Sequence, residues 1–178
     1  MPIKLEDVTA DQLPEILDIN NSALPHVNHL SLRDLTHLWE MSCYCRIATK
    51  GGVPAGFLLA MTEDAPYESE NYRWFRDHHD TFVYIDRVVV KPEFRGLGVG
   101  KVFYADIESF TETRAPILAC EVNLEPRNDA SLLFHGAFGF NEVGQHVYNG
   151  KRVSLMIKDM ADYHFIRSQQ PAAADQAV

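Results

Sequence analysis

The run Arg95-Gly96-Leu97-Gly98-Val99-Gly100-Lys101 constrains this chain more than any other stretch of it. Three glycines within five residues let a backbone close on itself through left-handed conformations with no Cβ in the way. The run joins a strand-like segment, Thr81 to Val90, to a helical pattern that carries Val99, Val102, Phe103, Ile107 and Phe110 on one face. Such a junction gathers free backbone N–H groups and the positive end of a helix dipole at one point, where an anion collects. Arg95 and Lys101 bracket that point with positive charge, so a phosphate is the expected guest.

Spacing excludes two familiar phosphate motifs. A Walker A loop ending at Gly100-Lys101 would need Gly in place of Arg95 and Ser or Thr in place of Val102. A dinucleotide fingerprint from Gly96 would need Gly at Lys101, and one from Gly98 would need Gly or Ala at Phe103. The local positive charge also opposes the sign of the whole. Lys plus Arg number 16 against 25 for Asp plus Glu, a formal charge of -9, so nucleic acid and anionic membrane surfaces are not expected partners.

A hydrophobic fraction of 46% over 178 residues predicts one packed domain, placed at 1–167, with 168–178 expected as a disordered tail. No apolar run approaches the ~20 residues of a membrane span, and the first residues carry no export signal, so a cytoplasmic location is expected. The odd cysteine count, Cys43, Cys45 and Cys120, fits a reducing compartment. Cys43 and Cys45 share a strand face with no further ligands tied to them, and His78 and His79 stand apart. No metal site is expected.

Patterning predicts a strand at 3–8, a helix over 11–24 and a second helix capped by Ser31 and ending near Glu40. A hairpin follows, Cys43 to Thr49 and Val53 to Thr62, around Gly51-Gly52. Residues 63–80, with Tyr67, Tyr72, Trp74 and Phe75, have no clean period and read as a long connection. After the glycine-turned helix come a buried strand at 117–123, a helix capped by Asn128 bearing Ala130, Leu133, Phe134 and Ala137 on one side, and a closing hairpin around Asn149-Gly150.

The segment Val88-Val-Val-Lys-Pro-Glu-Phe-Arg-Gly-Leu-Gly-Val-Gly-Lys101, followed by Asn128-Asp-Ala-Ser-Leu-Leu-Phe-His-Gly-Ala-Phe-Gly-Phe140, resembles the two core motifs of the GNAT acyltransferase superfamily. The likeness covers residues 80–158 strongly, and the order of elements before them also fits. It implies an α/β fold, a mixed, mostly antiparallel central sheet flanked by helices, and an N-acetyltransferase that uses acetyl-CoA as acyl donor. By resemblance, backbone N–H groups of Gly96, Gly98, Val99, Gly100 and Lys101 hold the pyrophosphate with Arg95 at the mouth. Val88, Val89 and Val90 pair with the pantetheine arm as an added strand would, and Asn128 makes a further contact.

Transfer from a thioester to an amine needs a neutral amine, a donor to the developing oxyanion and a proton for the leaving thiolate. A backbone N–H of Val88–Val90 is the family's usual oxyanion donor. Where the family carries a Tyr that protonates the CoA sulfur this chain has His135, which can donate a proton, only hydrogen-bond the sulfur, or face solvent. Glu121 resembles the base of the ribosomal-protein N-terminal acetyltransferases. Alternation places Asp86 with Tyr84, Val88 and Val90 on one face of the strand as a second candidate base; a local ion pair is the competing reading for either carboxylate. Cys120 beside Glu121 invites an acyl-enzyme, against which stand its apolar neighbours. The stretches Tyr67–Phe75 and Pro25–His29 lie where the family builds its acceptor pocket, for a small-molecule or peptide amine. Two classes therefore stand: an enzyme, or an acyl-CoA-binding sensor motivated by His135. A homodimer is left open.

Overall fold

The computed structural model describes residues 1–148, 150–161 and 163. The expected tail at 168–178, the end of the expected domain at 164–167 and Asn149 of the last hairpin lie outside them. Among the described residues no helix is long and apolar enough to cross a membrane.

Among the described residues seven strands form one sheet: β1 (Ile3–Asp7), β2 (Tyr44–Lys50), β3 (Val53–Thr62), β4 (Val83–Val90), β5 (Ile117–Glu125), β6 (Asn141–Tyr148) and β7 (Lys151–Asp159), in the order β1-β2-β3-β4-β5-β7-β6. Every neighbouring pair is antiparallel except β4 and β5. Five helices cover its faces: α1 (Leu13–Asn21), α2 (Leu32–Met41), α3 (Glu70–His78), α4 (Val99–Glu112) and α5 (Asp129–Ala137). The mixed, mostly antiparallel sheet flanked by helices is the fold that the sequence implied.

Strand alternation sorts the core into two layers. Phe57, Leu59 and Met61 of β3 face α1, α2 and α3 through Ile16, Ile19, Leu35, Tyr72 and Phe75, whereas Leu58 and Ala60 face Phe103, Tyr104 and Ile107 of α4. Ser31 caps α2 as expected, its hydroxyl accepting from the Asp34 N–H at 3.2 Å while the Asp34 carboxylate accepts from the Ser31 N–H.

Three expectations need correction. The segment 63–80 contains α3, whose Ser69 caps the first turn and whose Tyr72 and Phe75 point into the core, so a two-residue apolar face on a polar helix is enough once tertiary burial supports it. The helix expected over 11–24 starts as a 3-10 turn at Ala10–Gln12 and ends at Asn21, leaving Leu24 exposed. On α5, Leu133 is 74% exposed and the buried side chain is His135.

Gly56 of β3 is fixed by contact: a Cβ there would stand 2.2 Å from the Val89 carbonyl oxygen. Gly56→Ala is expected to push β4 off β3 and to cost about 3 kcal/mol or more. Thermal unfolding of the variant measures it.

Candidate active site

β4 and β5 run side by side only at Val83/Leu118 and Tyr84/Ala119, then diverge. Between them opens a cleft of about 1090 Å³. From Ile85 onward the β5-facing backbone of β4 is unpaired by the sheet, an open strand edge that suits an extended amide chain. All the residues given a catalytic or cofactor-binding role in the sequence line this cleft: Asp86, Val88, Val89 and Val90 on β4, Arg95, Gly96, Gly98, Val99, Gly100 and Lys101 at the turn, Glu121 on β5, and Asn128 and His135 on α5.

The turn is built as an anion cradle. Gly96 and Gly98 have φ of 72° and 89°, which an L side chain adopts only under strain. Gly98 caps α4, and the first helical bond runs from the Val102 N–H to its carbonyl, leaving the N–H groups of Val99, Gly100 and Lys101 outside the ladder. Gly100 lets α5 approach, since a Cβ there would meet the Phe134 ring at 3.2 Å. Arg95 folds back to donate from Nε to the Val90 carbonyl at 3.1 Å, tying turn to strand. On α5 the Asn128 side chain accepts from the Ser131 N–H at 3.1 Å, so its oxygen is engaged in capping.

The two candidate carboxylates have different surroundings. A bulge pairs Leu59 with Arg87 and Ala60 with Ile85, leaving Asp86 as the extra residue of β4. The expected shared face of 84, 86, 88 and 90 is thereby broken: Tyr84 and Val89 pack in the α1–α3 layer, Val88 and Val90 against the α4 layer. Asp86 is buried in an ion pair with Arg87 Nε at 2.6 Å and accepts from the Tyr67 hydroxyl at 2.5 Å. Arg87 in turn donates to Asn20 Oδ1, and Asn20 donates to the Asn28 carbonyl, so this pair anchors the 22–30 loop. Among the described residues no cationic side chain contacts Glu121. Its Oε2 accepts from the Tyr84 hydroxyl at 2.6 Å and its Oε1 from Asn71 Nδ2 at 3.3 Å. Burial pushes its carboxyl up to about 7, against the opposing pull of the Tyr84 hydrogen bond.

His135 is 4% exposed. Its Nδ1 lies 2.7 Å from the Ser131 carbonyl, which only accepts, so Nδ1 carries the hydrogen and Nε2 accepts from the Tyr104 hydroxyl at 2.5 Å. Burial lowers its pKa and holds it neutral. Burial likewise pushes the Cys120 thiol well above its ordinary range, which disfavours a thiolate there. Among the described residues no His, Cys, Asp or Glu cluster could hold a metal.

Of the two loops expected near the acceptor, His26, Val27 and Asn28 and also Tyr67, Ser69 and Asn71 line the cleft, while Phe75 is core and Trp74 packs on Gly144. Sequence reasoning placed Asn71 in the acceptor stretch without a role of its own and missed Tyr104 and His146, polar residues with no motif or periodicity to mark them. Their partners stand 50, 31 and 75 residues away.

A mixed sheet that parts beside a glycine-turned helix start defines an α/β protein built around one ligand cleft between divergent strands. The Acetyltransferase (GNAT) family model matches residues 13–140, and the chain belongs to that family. No curated protein matches the sequence as a relative. Among solved structures, the ribosomal-protein-S18-alanine N-acetyltransferase of Escherichia coli is similar at 15% identity and a TM-score of 0.68, covering 99% of this chain and 100% of its own. The putative acetyltransferase yncA of Salmonella typhimurium, solved with acetyl-CoA, has the same identity, TM-score and coverage. Arabidopsis thaliana NAA60, in complex with a bisubstrate analogue, is 16% identical with a TM-score of 0.69, covering 89% of this chain and 98% of its own. At these identities the likeness is one of fold.

Proposed function

We propose that the protein transfers an acetyl group from acetyl-CoA to a primary amine with both bound in the cleft at once, and that Glu121 is the base. The observation that carries this reading is a cleft-lining carboxyl bonded to the neutral donors Tyr84 and Asn71 and, among the described residues, to no cation, a setting in which burial pushes its pKa up to about 7. A base poised near the working pH is what removal of a proton from an ammonium nucleophile needs. Asp86, ion-paired to Arg87 and bonded to Tyr67, is by contrast committed to holding loops.

Acetyl-CoA supplies an activated thioester. The residues fit it: the N–H groups at Val99, Gly100 and Lys101 with Arg95 and Lys101 would hold the pyrophosphate, and the open edge at Val88–Val90 would pair with the pantetheine amides and offer an N–H to the thioester carbonyl. A primary ammonium group would enter from the side of His26, Tyr67 and Asn71 and give one proton to Glu121, and the neutral amine so formed would make the C–N bond at the thioester carbonyl as the C–S bond breaks. Acceptors of both kinds, small molecules and peptide N-termini, stay in the proposal; the shared fold with the E. coli S18-alanine enzyme and NAA60 favours testing peptides first.

His135 acts here as a neutral hydrogen-bonding residue that fixes Tyr104, and the proton that the leaving group requires would come through solvent from the nitrogen that forms the amide. His135→Phe is expected to lower kcat by less than about tenfold. It should also cost about 1–3 kcal/mol of stability by leaving the Tyr104 hydroxyl without its partner. A rate loss of a thousandfold at unchanged acetyl-CoA affinity would instead make His135 the acid.

The function itself is tested by following free CoA thiol over a panel of small amines, aminoglycosides and peptides. Acceptor-dependent release is expected. Tight acetyl-CoA binding with no release for any acceptor would overturn the enzyme reading in favour of an acyl-CoA-binding sensor.

A further inference from the structure

Outside the cofactor side of the cleft, a line of hydrogen bonds runs from the protein surface to the Glu121 carboxylate. His146 of β6 places Nδ1 2.9 Å from Asn71 Oδ1, and Asn71 at the start of α3 places Nδ2 3.3 Å from Glu121 Oε1. The direction of the line follows from chemistry. An ionised carboxylate only accepts, so Asn71 must turn its NH2 to Glu121; its oxygen then faces His146, whose Nδ1 must carry the hydrogen. On its other side His146 Nε2 lies 3.7 Å from Glu70 Oε2.

We infer that Asn71, oriented by His146, is a positioning residue that fixes the Glu121 carboxylate between two donors, Asn71 on Oε1 and Tyr84 on Oε2, and so sets the pH at which the base becomes available. This rests on Glu121 being the base. The other groups facing Glu121 are Tyr84, Asp86 and Arg87 of β4, Tyr67 before α3 and the adjoining Cys120; its β7 partner is Leu155. Only the Asn71 bond reaches toward solvent, through a histidine whose side chain is 29% exposed. Asn71 stabilises the ionised form, so its loss makes the proton harder to remove.

The test titrates the Glu121 carboxyl by carbon NMR on glutamate-labelled full-length protein, assigned by its disappearance in Glu121→Gln, beside kcat/KM against pH. Asn71→Leu is expected to raise the Glu121 midpoint by about half a unit to one unit, and the isosteric Asn71→Asp by more, because it sets a like charge beside the carboxylate. His146→Phe should raise it by a few tenths, and His146→Asn, which keeps a donor toward Asn71, should restore it. An unmoved midpoint in both Asn71 variants overturns the inference. A midpoint that moves while the acid limb of kcat/KM stays in place leaves the positioning intact and removes Glu121 as the base.

Discussion

Glu121→Gln is expected to lower kcat by about 10²–10⁴-fold while acetyl-CoA affinity changes less than about twofold, because general base catalysis is lost and the cofactor side of the cleft is untouched. Steady-state rates with the best amine and calorimetric titration of acetyl-CoA measure the two halves. The same substitution should stabilise the fold at alkaline pH. In the native protein the Glu121 carboxyl lies near 7, above its ordinary 4.5, so the folded state holds a proton that the unfolded state has released. Stability is therefore undiminished by Glu121 below about pH 4.5, falls as pH rises towards 7, and stays reduced by about 3 kcal/mol above it. Glutamine carries no charge at any of these pH values, so the variant should unfold at higher temperature than the native protein at pH 8 and at a similar one at pH 4.5. A variant with native kcat removes Glu121 from the chemistry; one less stable at pH 8 contradicts the burial argument.

The second large effect belongs to the turn. Gly98→Glu is expected to weaken acetyl-CoA binding by about 10²-fold or more. With φ at 89°, a side chain at this position strains the cap of α4, and an added carboxylate would stand where the N–H groups of Val99, Gly100 and Lys101 otherwise meet phosphate oxygens. Strain of this kind costs about 1–3 kcal/mol, and a unit charge about 4 Å from a phosphate costs roughly 1–4 kcal/mol between bulk water and a protein surface. Together they come to about 2–7 kcal/mol, a range whose middle lies above the ~2.8 kcal/mol of a hundredfold change. Gly98→Ala separates them, since it carries the strain without the charge and the added methyl meets only the Ile3 side chain at 4.0 Å. Its affinity should fall between the other two. Unchanged affinity in Gly98→Glu would remove the turn from cofactor binding.

What could be read in the chain before any coordinates follows from which interactions are local. The helix starts at Ser31 and Asn128, the hairpin between β2 and β3, and the glycine turn are each set within a handful of residues, by capping oxygens, turn conformations and side-chain alternation. The resemblance carried further, gathering cofactor-side residues that all line one cleft. α3 was illegible because its stability comes from Tyr72 and Phe75 reaching a core assembled by β3, β4 and α1 rather than from its own pattern. Asp86 was misplaced because a bulge depends on the partner strand, and no alternation rule applied to one strand foresees it.

The sequence by itself determined the order of elements, apart from α3, and a cationic glycine turn in an acidic chain, and the resemblance it carries implied the mixed sheet. The tertiary structure alone decided which carboxylate is ion-paired. Asp86 and Glu121 are alike as letters, and their surroundings diverge because folding brings Arg87 and Tyr67 to one, and Tyr84 and Asn71, with no cation in contact among the described residues, to the other. A carboxyl's proton affinity is set by burial and by neighbours within a few ångströms, and those neighbours arrive from positions up to 50 residues away.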